Sequence, residues 1–141
     1  MKIEKLFSVE GKIVLVTGGS RGIGEMITRG YLANGAKVYI TSRKSEECIQ
    51  KAEQLSKEYK ASCIAIPEDI SVMDGINNLH LNFCKYENKL DILVNNAGAV
   101  WGQPLEEFTE QGWDKVLDLN VKSIFFLIKK FENFGTIFNS V

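Results

Sequence analysis

The segment Thr17-Gly18-Gly19-Ser20-Arg21-Gly22-Ile23-Gly24 lies between the apolar run Ile13-Val14-Leu15-Val16 and an amphipathic stretch, and it constrains this chain more than any other. Separated glycines let the backbone turn sharply, come close to a ligand and pack a following helix against a sheet, where side chains would obstruct. The new helix then offers unpaired N–H groups and the positive end of its dipole, a combination suited to a diphosphate. An anion placed there gains roughly 0.3–1 kcal/mol when exposed and up to ~2 kcal/mol when partly buried.

The 141 residues carry a formal net charge of −1 and ordinary apolar content, the profile of a single globular unit. Basic residues are scattered without an aromatic-basic stripe, which argues against a nucleic-acid partner. The longest apolar run, Ile124-Phe125-Phe126-Leu127-Ile128, is far below the ~20 residues that span a bilayer. The opening Met1-Lys2-Ile3-Glu4-Lys5 has no secretory apolar segment, so a cytoplasmic location is expected. Cys48, Cys63 and Cys84 are odd in number and not closely spaced; they read as reduced thiols serving as small hydrophobes, with no metal site. His80, the only histidine, falls at helical spacing from Ile76 and Phe83 and reads as a half-buried helix residue.

Hydrophobic periodicity orders the rest. Residues 12–16 read as a buried strand, followed by a helix carrying Ile23, Met26, Ile27, Tyr31 and Leu32 and ended by Gly35. A second strand spans 38–41, and a helix over 45–59 places Cys48, Ile49, Ala52 and Leu55 on one face with Glu46 and Glu47 in its first turn. A third strand spans 61–66. Ser71 is the expected cap of a helix with Val72, Ile76, Leu79 and Phe83, and residues 90–95 form a fourth strand. After loop markers at Ala97-Gly98 and Gly102-Gln103-Pro104, Thr109 caps a helix through Trp113, Val116 and Leu117 that runs on through Phe125 and Ile128. Asn133-Phe134-Gly135 reads as a stop and 136–141 as a fifth strand. Phe125, Phe126 and Ile128, with Trp101 and Trp113, are expected to pack within the domain or against a second subunit. Apolar strands alternating with helices mean an α/β chain with a parallel sheet covered on both faces.

Four features in register, Thr17-Gly18-x-x-x-Gly22-Ile23-Gly24, Asp69-Ile70, Asn95-Asn96-Ala97-Gly98 and Asn120, resemble the short-chain dehydrogenase/reductase family. The resemblance implies a Rossmann-like doubly wound sheet, incomplete, of about five strands in the order 3-2-1-4-5. Residues 1–141 would then be one NAD(P)-binding domain, the N-terminal portion of such an enzyme. It assigns Gly18, Ser20, Arg21, Gly22, Ile23 and Gly24 to the pyrophosphate turn, Asp69 and Ile70 to the adenine, and Asn96, Ala97 and Gly98 to the ribose side. Asn95 is read as tying neighbouring strands, and Asn120 as the tetrad asparagine whose backbone holds a relay water, or else as a polar residue at a helix kink. Residues 15–30, Gly98-x-x-Trp101-Gly102 and Gly112-Trp113 look most like the bacterial 3-oxoacyl-acyl-carrier-protein reductase branch, including the rhamnolipid type.

Which dinucleotide is a matter of charge. A free ribose is usually held by a carboxylate at the end of the second strand, whereas a 2′-phosphate calls for guanidinium groups. This chain has Thr41-Ser42-Arg43-Lys44 there, Arg21 in the turn and no acid at the strand end, so NADP is favoured over NAD.

The family's proton donor is a tyrosine in Tyr-x-x-x-Lys, which does not occur in these residues: Tyr59 leads to Cys63 and Tyr86 to Leu90. Ser140 stands in for the catalytic serine only with a register shift. The expected activity is NADP-dependent reduction of a small-molecule carbonyl or acyl thioester, in a shortened chain that forms a homo-oligomer if a full-length form exists. The alternative is a dinucleotide-binding module without catalysis, or an inactive fragment.

Overall fold

Strands that are apolar throughout must be covered on both faces, and the computed structural model, which describes residues 3–132 and 134, builds them that way. β1 (Ile13–Thr17), β2 (Lys37–Thr41), β3 (Cys63–Ala65) and β4 (Ile92–Val94) form one parallel sheet in the order β3-β2-β1-β4. β1 pairs with β2 from Ile13↔Lys37 to Thr17↔Thr41, and with β4 from Val14↔Ile92 to Val16↔Val94. A helical turn α1 (Ile3–Leu6) precedes the sheet, and α2 (Gly22–Ala33), α3 (Ser45–Tyr59) and α4 (Met73–Phe83) alternate with the strands. Beyond β4 come a 3₁₀ turn at Leu105–Glu107, α5 (Glu110–Leu117), a π-helical turn at Asp118–Lys122 and α6 (Ser123–Phe131). The four strands have the expected order and direction. The fifth strand at 136–141, Ser140, and the stop at Asn133 and Gly135 lie outside the described residues.

Side chains alternate across a strand, so each strand feeds two cores. Leu15 and Tyr39 pack with Ile76, Leu79 and Phe83 of α4 and Leu127 and Phe131 of α6. Val14, Val16, Val38 and Ile40 pack with Leu32 of α2 and Cys48, Ala52 and Leu55 of α3. Each fully buried Val, Leu, Ile or Phe among them contributes roughly 1.5–3 kcal/mol.

The helix faces differ from the expected ones where packing distance outranks hydrophobicity. Ile23 and Met26 are each 70% exposed, because α2 turns Gly24, Thr28 and Leu32 inward and so approaches the sheet closely. Ile49 and Val72 are also exposed. Trp113, Phe125 and Ile128 point outward, while Phe126 is half-buried against the core and Leu127 and Phe131 are buried in it. The π turn accounts for that shift, since its extra residue rotates the buried stripe of α6 relative to α5. Thr109 caps α5 as expected, its hydroxyl accepting from Gly112 N at 3.1 Å. Ser71 does not cap α4: Val72 occupies that position, and the Ser71 hydroxyl donates to Asp69 Oδ1 at 2.7 Å instead. All three cysteines are free, and burial pushes the Cys63 thiol up to about 12. His80 is half-buried between the rings of Phe131 and Phe134. No helix among the described residues is long and apolar enough to cross a membrane.

Part-buried carboxylates fasten the edges of this frame. Asp91 accepts from the Ile13 N–H at 2.8 Å and from Lys89 at 3.1 Å. Glu87 joins Lys37 and the Tyr39 hydroxyl, both at 2.6 Å, and Glu25 joins Arg29 and Lys51 at 2.9 and 3.2 Å. Burial alone would raise each carboxyl, but these donors and cations outweigh it and hold all three below the ordinary carboxylate range. Groups with a depressed folded value stabilise the fold above their unfolded value, and that contribution is lost as pH falls through the folded one. Burial lowers the pKa of His80 as well, so urea unfolding should show a flat midpoint from about pH 8 to 7, a first decline below about pH 6.5 as the unfolded histidine takes up its proton, and a further decline below about pH 4.5 from the carboxylates. Asp91→Asn should cost about 1–3 kcal/mol at pH 7 and make that decline shallower; an unchanged acid profile would contradict the assignment.

Candidate functional site

The glycine turn gets its shape from two kinds of constraint. Gly18 and Gly22 have φ of +66° and +55°, the left-handed region that side chains disfavour. Gly24 instead answers to space: a Cβ there would collide with the Gly18 carbonyl and lie 2.5 Å from the Asn96 amide nitrogen. Gly18 N–H donates to Thr41 O at 2.8 Å, which fixes the turn to the end of β2. α2 begins directly after Arg21, whose side chain makes no cap, so the first turn of the helix presents its N–H groups without a side-chain acceptor.

The end of β4 closes the turn from behind. The Asn96 side-chain amide donates to Thr17 O at 2.9 Å, and the backbone N–H groups of Asn96 and Ala97 both donate to Thr17 Oγ1 at 3.0 Å. The residue that ties the strands is therefore Asn96. Asn95, read as the tie, makes no side-chain hydrogen bond among the described residues, and its Oδ1 is buried without a partner. Adjacent residues at a strand end point to opposite sides, so only one of the two amides can reach Thr17.

Gly18, Ser20, Arg21, Gly22, Ile23, Gly24, Arg43, Asp69, Ile70, Asn96, Ala97 and Gly98 all line one cleft of about 370 Å³ at the carboxyl ends of the strands. A cleft so placed is where open parallel sheets bind ligands. Asp69 sits on its wall with Oδ1 accepting from the Ser71 N–H and hydroxyl at 3.0 and 2.7 Å, while Oδ2 has no partner among the described residues. Thr41 Oγ1, also on the wall, is buried without a partner. Arg21 and Arg43 stand exposed at the rim with no ion pair among the described residues.

Six further lining residues carried no expected role in the site: Thr41, Ser42 and Lys44 beside Arg43 at the strand end, and Glu47, Glu68 and Leu119. Glu47 matters most, because it puts a carboxylate into a cleft that the strand end alone had shown as acid-free; it pairs with Lys44 at 2.6 Å. Its place at the third position of α3 was legible, but not that this turn faces the cleft. Gly75 was missed as well. A Cβ on it would strike the Asp69 carbonyl, so this glycine allows α4 to start close behind Asp69.

Asn120 lies in the π turn and does not line the cleft. Its Oδ1 accepts from Ala99 N–H at 2.8 Å and its Nδ2 donates to Ala99 O at 2.9 Å, clamping the loop after β4. Its chain neighbour Leu119 does line the cleft, and a Cβ added at Gly98, which lines it too, would sit 3.5 Å from Asn120 Oδ1.

With this geometry in view, comparison with known proteins is specific. A family model described as short chain dehydrogenase matches residues 12–134. The rhamnolipids biosynthesis 3-oxoacyl-[acyl-carrier-protein] reductase of Pseudomonas aeruginosa is 48% identical over 124 residues, covering 88% of this chain and 48% of that protein. The chain thus spans about half the length of the curated relatives it matches. Among solved structures, the Pseudomonas aeruginosa RhlG/NADP active-site complex superposes with a TM-score of 0.86 at 47% identity, covering 91% of this chain and 49% of that one. A metagenomic short-chain oxidoreductase in complex with NADP gives a TM-score of 0.82 at 31% identity, covering 89% and 57%.

The two asparagines make the geometry testable. Asn96→Ala removes the donor to Thr17 O and should lower stability by about 1–3 kcal/mol, read from thermal unfolding. Asn95→Ala should cost under about 1 kcal/mol; equal losses would contradict the assignment of the tie to Asn96.

Proposed function

The chain belongs to the short-chain dehydrogenase family, and from that premise we propose that its cleft binds NADP in the service of carbonyl reduction. One observation carries the choice of dinucleotide: Arg21 and Arg43 rim a glycine-backbone cleft without ion-pair partners among the described residues. Guanidinium groups match a phosphate with paired, charge-assisted hydrogen bonds. The NADP complexes among the similar structures support the same reading.

The residues present fit the group. Gly18, Gly22 and Gly24 leave room for a diphosphate against the N-terminus of α2, with Ser20 and Ile23 beside it. Arg21 and Arg43 would take the 2′-phosphate. The free Asp69 Oδ2 would accept from the adenine amino group, with the Ile70 backbone adjacent, and Asn96, Ala97 and Gly98 would bring backbone up to the ribose. The buried, unpartnered Thr41 Oγ1 is a polar atom that a ligand in this cleft would satisfy. When bound, the nicotinamide supplies the hydride for reduction.

Asn120, whose side chain is committed to Ala99, would serve through its backbone in a proton relay. Ser140 lies outside the described residues and remains the alternative catalytic serine. The substrate class proposed for the whole protein is a small carbonyl, with a 3-oxoacyl thioester suggested by the similarity to the Pseudomonas reductase. The exposed Val121, Phe125 and Ile128 on one side of the α5–α6 unit are proposed as a contact for a second copy, and the three free thiols suit a cytoplasmic setting. These 141 residues contain no Tyr-x-x-x-Lys, which favours binding without turnover as the second reading for this stretch by itself.

Titration with NADPH, followed by its fluorescence and by thermal unfolding, tests the reading. Saturating NADPH should raise the unfolding temperature, as any ligand of the native state must. No association with either NADPH or NADH would overturn the proposal, and turnover of ketones would exclude the second reading. Arg43→Asp should weaken NADPH by roughly 10-fold or more and NADH by less; equal losses would contradict the choice of NADP.

A further inference from the structure

Lys44 and Glu47 share the cleft with Arg43, yet differ from it in having each other. Lys44 is the N-cap residue of α3 and Glu47 the third residue of its first turn, so the two approach across one helical turn. Their ion pair is 2.6 Å long, with side chains 66% and 56% exposed. Both line the same cleft wall as Thr41, Ser42 and Arg43. A carboxylate in the first turn of a helix is favoured by the dipole. Lys44 carries its charge on a flexible stem and can turn toward an anion in the cleft.

Resting on the proposed binding of NADP, we propose that Glu47 is a specificity-determining residue that tempers the preference for a 2′-phosphate by holding Lys44 in this pair. A phosphate arriving beside Arg43 competes with Glu47 for the Lys44 ammonium. An exposed pair is weak enough to be exchanged, so the cleft has one cation ready at Arg43 and a second held in reserve at Lys44. Without the 2′-phosphate there is nothing to exchange, so a dinucleotide lacking it feels the pair little.

The test is a double-mutant cycle read by NADPH and NADH titration of the purified protein. Glu47→Gln keeps a side chain suited to the third helical position and should tighten NADPH about two- to fivefold at low ionic strength, with NADH changed less than about twofold. The gain should shrink in about 0.5 M salt, where screening shortens the reach of exposed charges. Lys44→Met should weaken NADPH and should abolish the gain from Glu47→Gln. A gain that persists in the Lys44→Met background, or no gain at all while wild type still favours NADPH over NADH, overturns this inference and leaves the reading of the cleft intact. Failure of wild type to bind either dinucleotide overturns both.

Discussion

A single knot of hydrogen bonds at the ends of β1 and β4 sets everything the cleft can do. Thr17 Oγ1 accepts from two backbone N–H groups, those of Asn96 and Ala97, and donates to Val94 O at 3.2 Å, using its full capacity. The Asn96 amide closes on Thr17 O from the same side, and Gly18 N–H closes on Thr41 O from the other. The turn is thus fastened to both neighbouring strands at its first two residues. From there the left-handed Gly18 and Gly22 carry the backbone around, and the bare Gly24 lets α2 settle against the Gly18 carbonyl. The N-terminus of α2 thereby comes to line the cleft.

The same fastening extends along the far wall. Asn120 holds Ala99 by two hydrogen bonds, and it is the π turn that gives Asn120 this position between α5 and α6. A regular helix through 118–122 would place the buried stripe of α6 differently, and Leu127 and Phe131 would no longer meet Phe83 and Leu79. The kink therefore serves two ends at once: it registers α6 on the core and brings an amide to the loop that follows β4.

Much of this was legible in the sequence, for reasons that differ from element to element. Uninterrupted apolar runs such as Ile13-Val14-Leu15-Val16 identify strands buried on both faces, and motif spacing identified the residues that line the cleft. Helix faces were less legible, because hydrophobic periodicity selects large apolar residues while close packing selects small ones. α2 shows the conflict directly, exposing Ile23 and Met26 and burying Gly24 and Thr28. The tie fell to Asn96, which also lines the cleft, and not to Asn95, because strand register, not residue type, decides which amide reaches Thr17. Ser71 is not the cap because α4 begins one residue later than its pattern suggests, which puts Val72 at the cap position.

Charge at the cleft follows from pairing rather than from number. With a net charge of −1, the chain as a whole has no strong field to draw in a dianion. Its part-buried acids are matched locally: Glu25 with Arg29 and Lys51, Glu87 with Lys37, Asp91 with Lys89. Those pairs lock helices and strand ends together, and in doing so they remove their cations from competition for an anion. Arg21 and Arg43 are among the cations without an ion pair in the described residues, and these two sit where the glycine turn has already aimed a helix N-terminus. A site suited to a further phosphoryl group can thus arise in a nearly neutral protein, provided that two unpaired cations fall where a helix N-terminus also offers unpaired N–H groups.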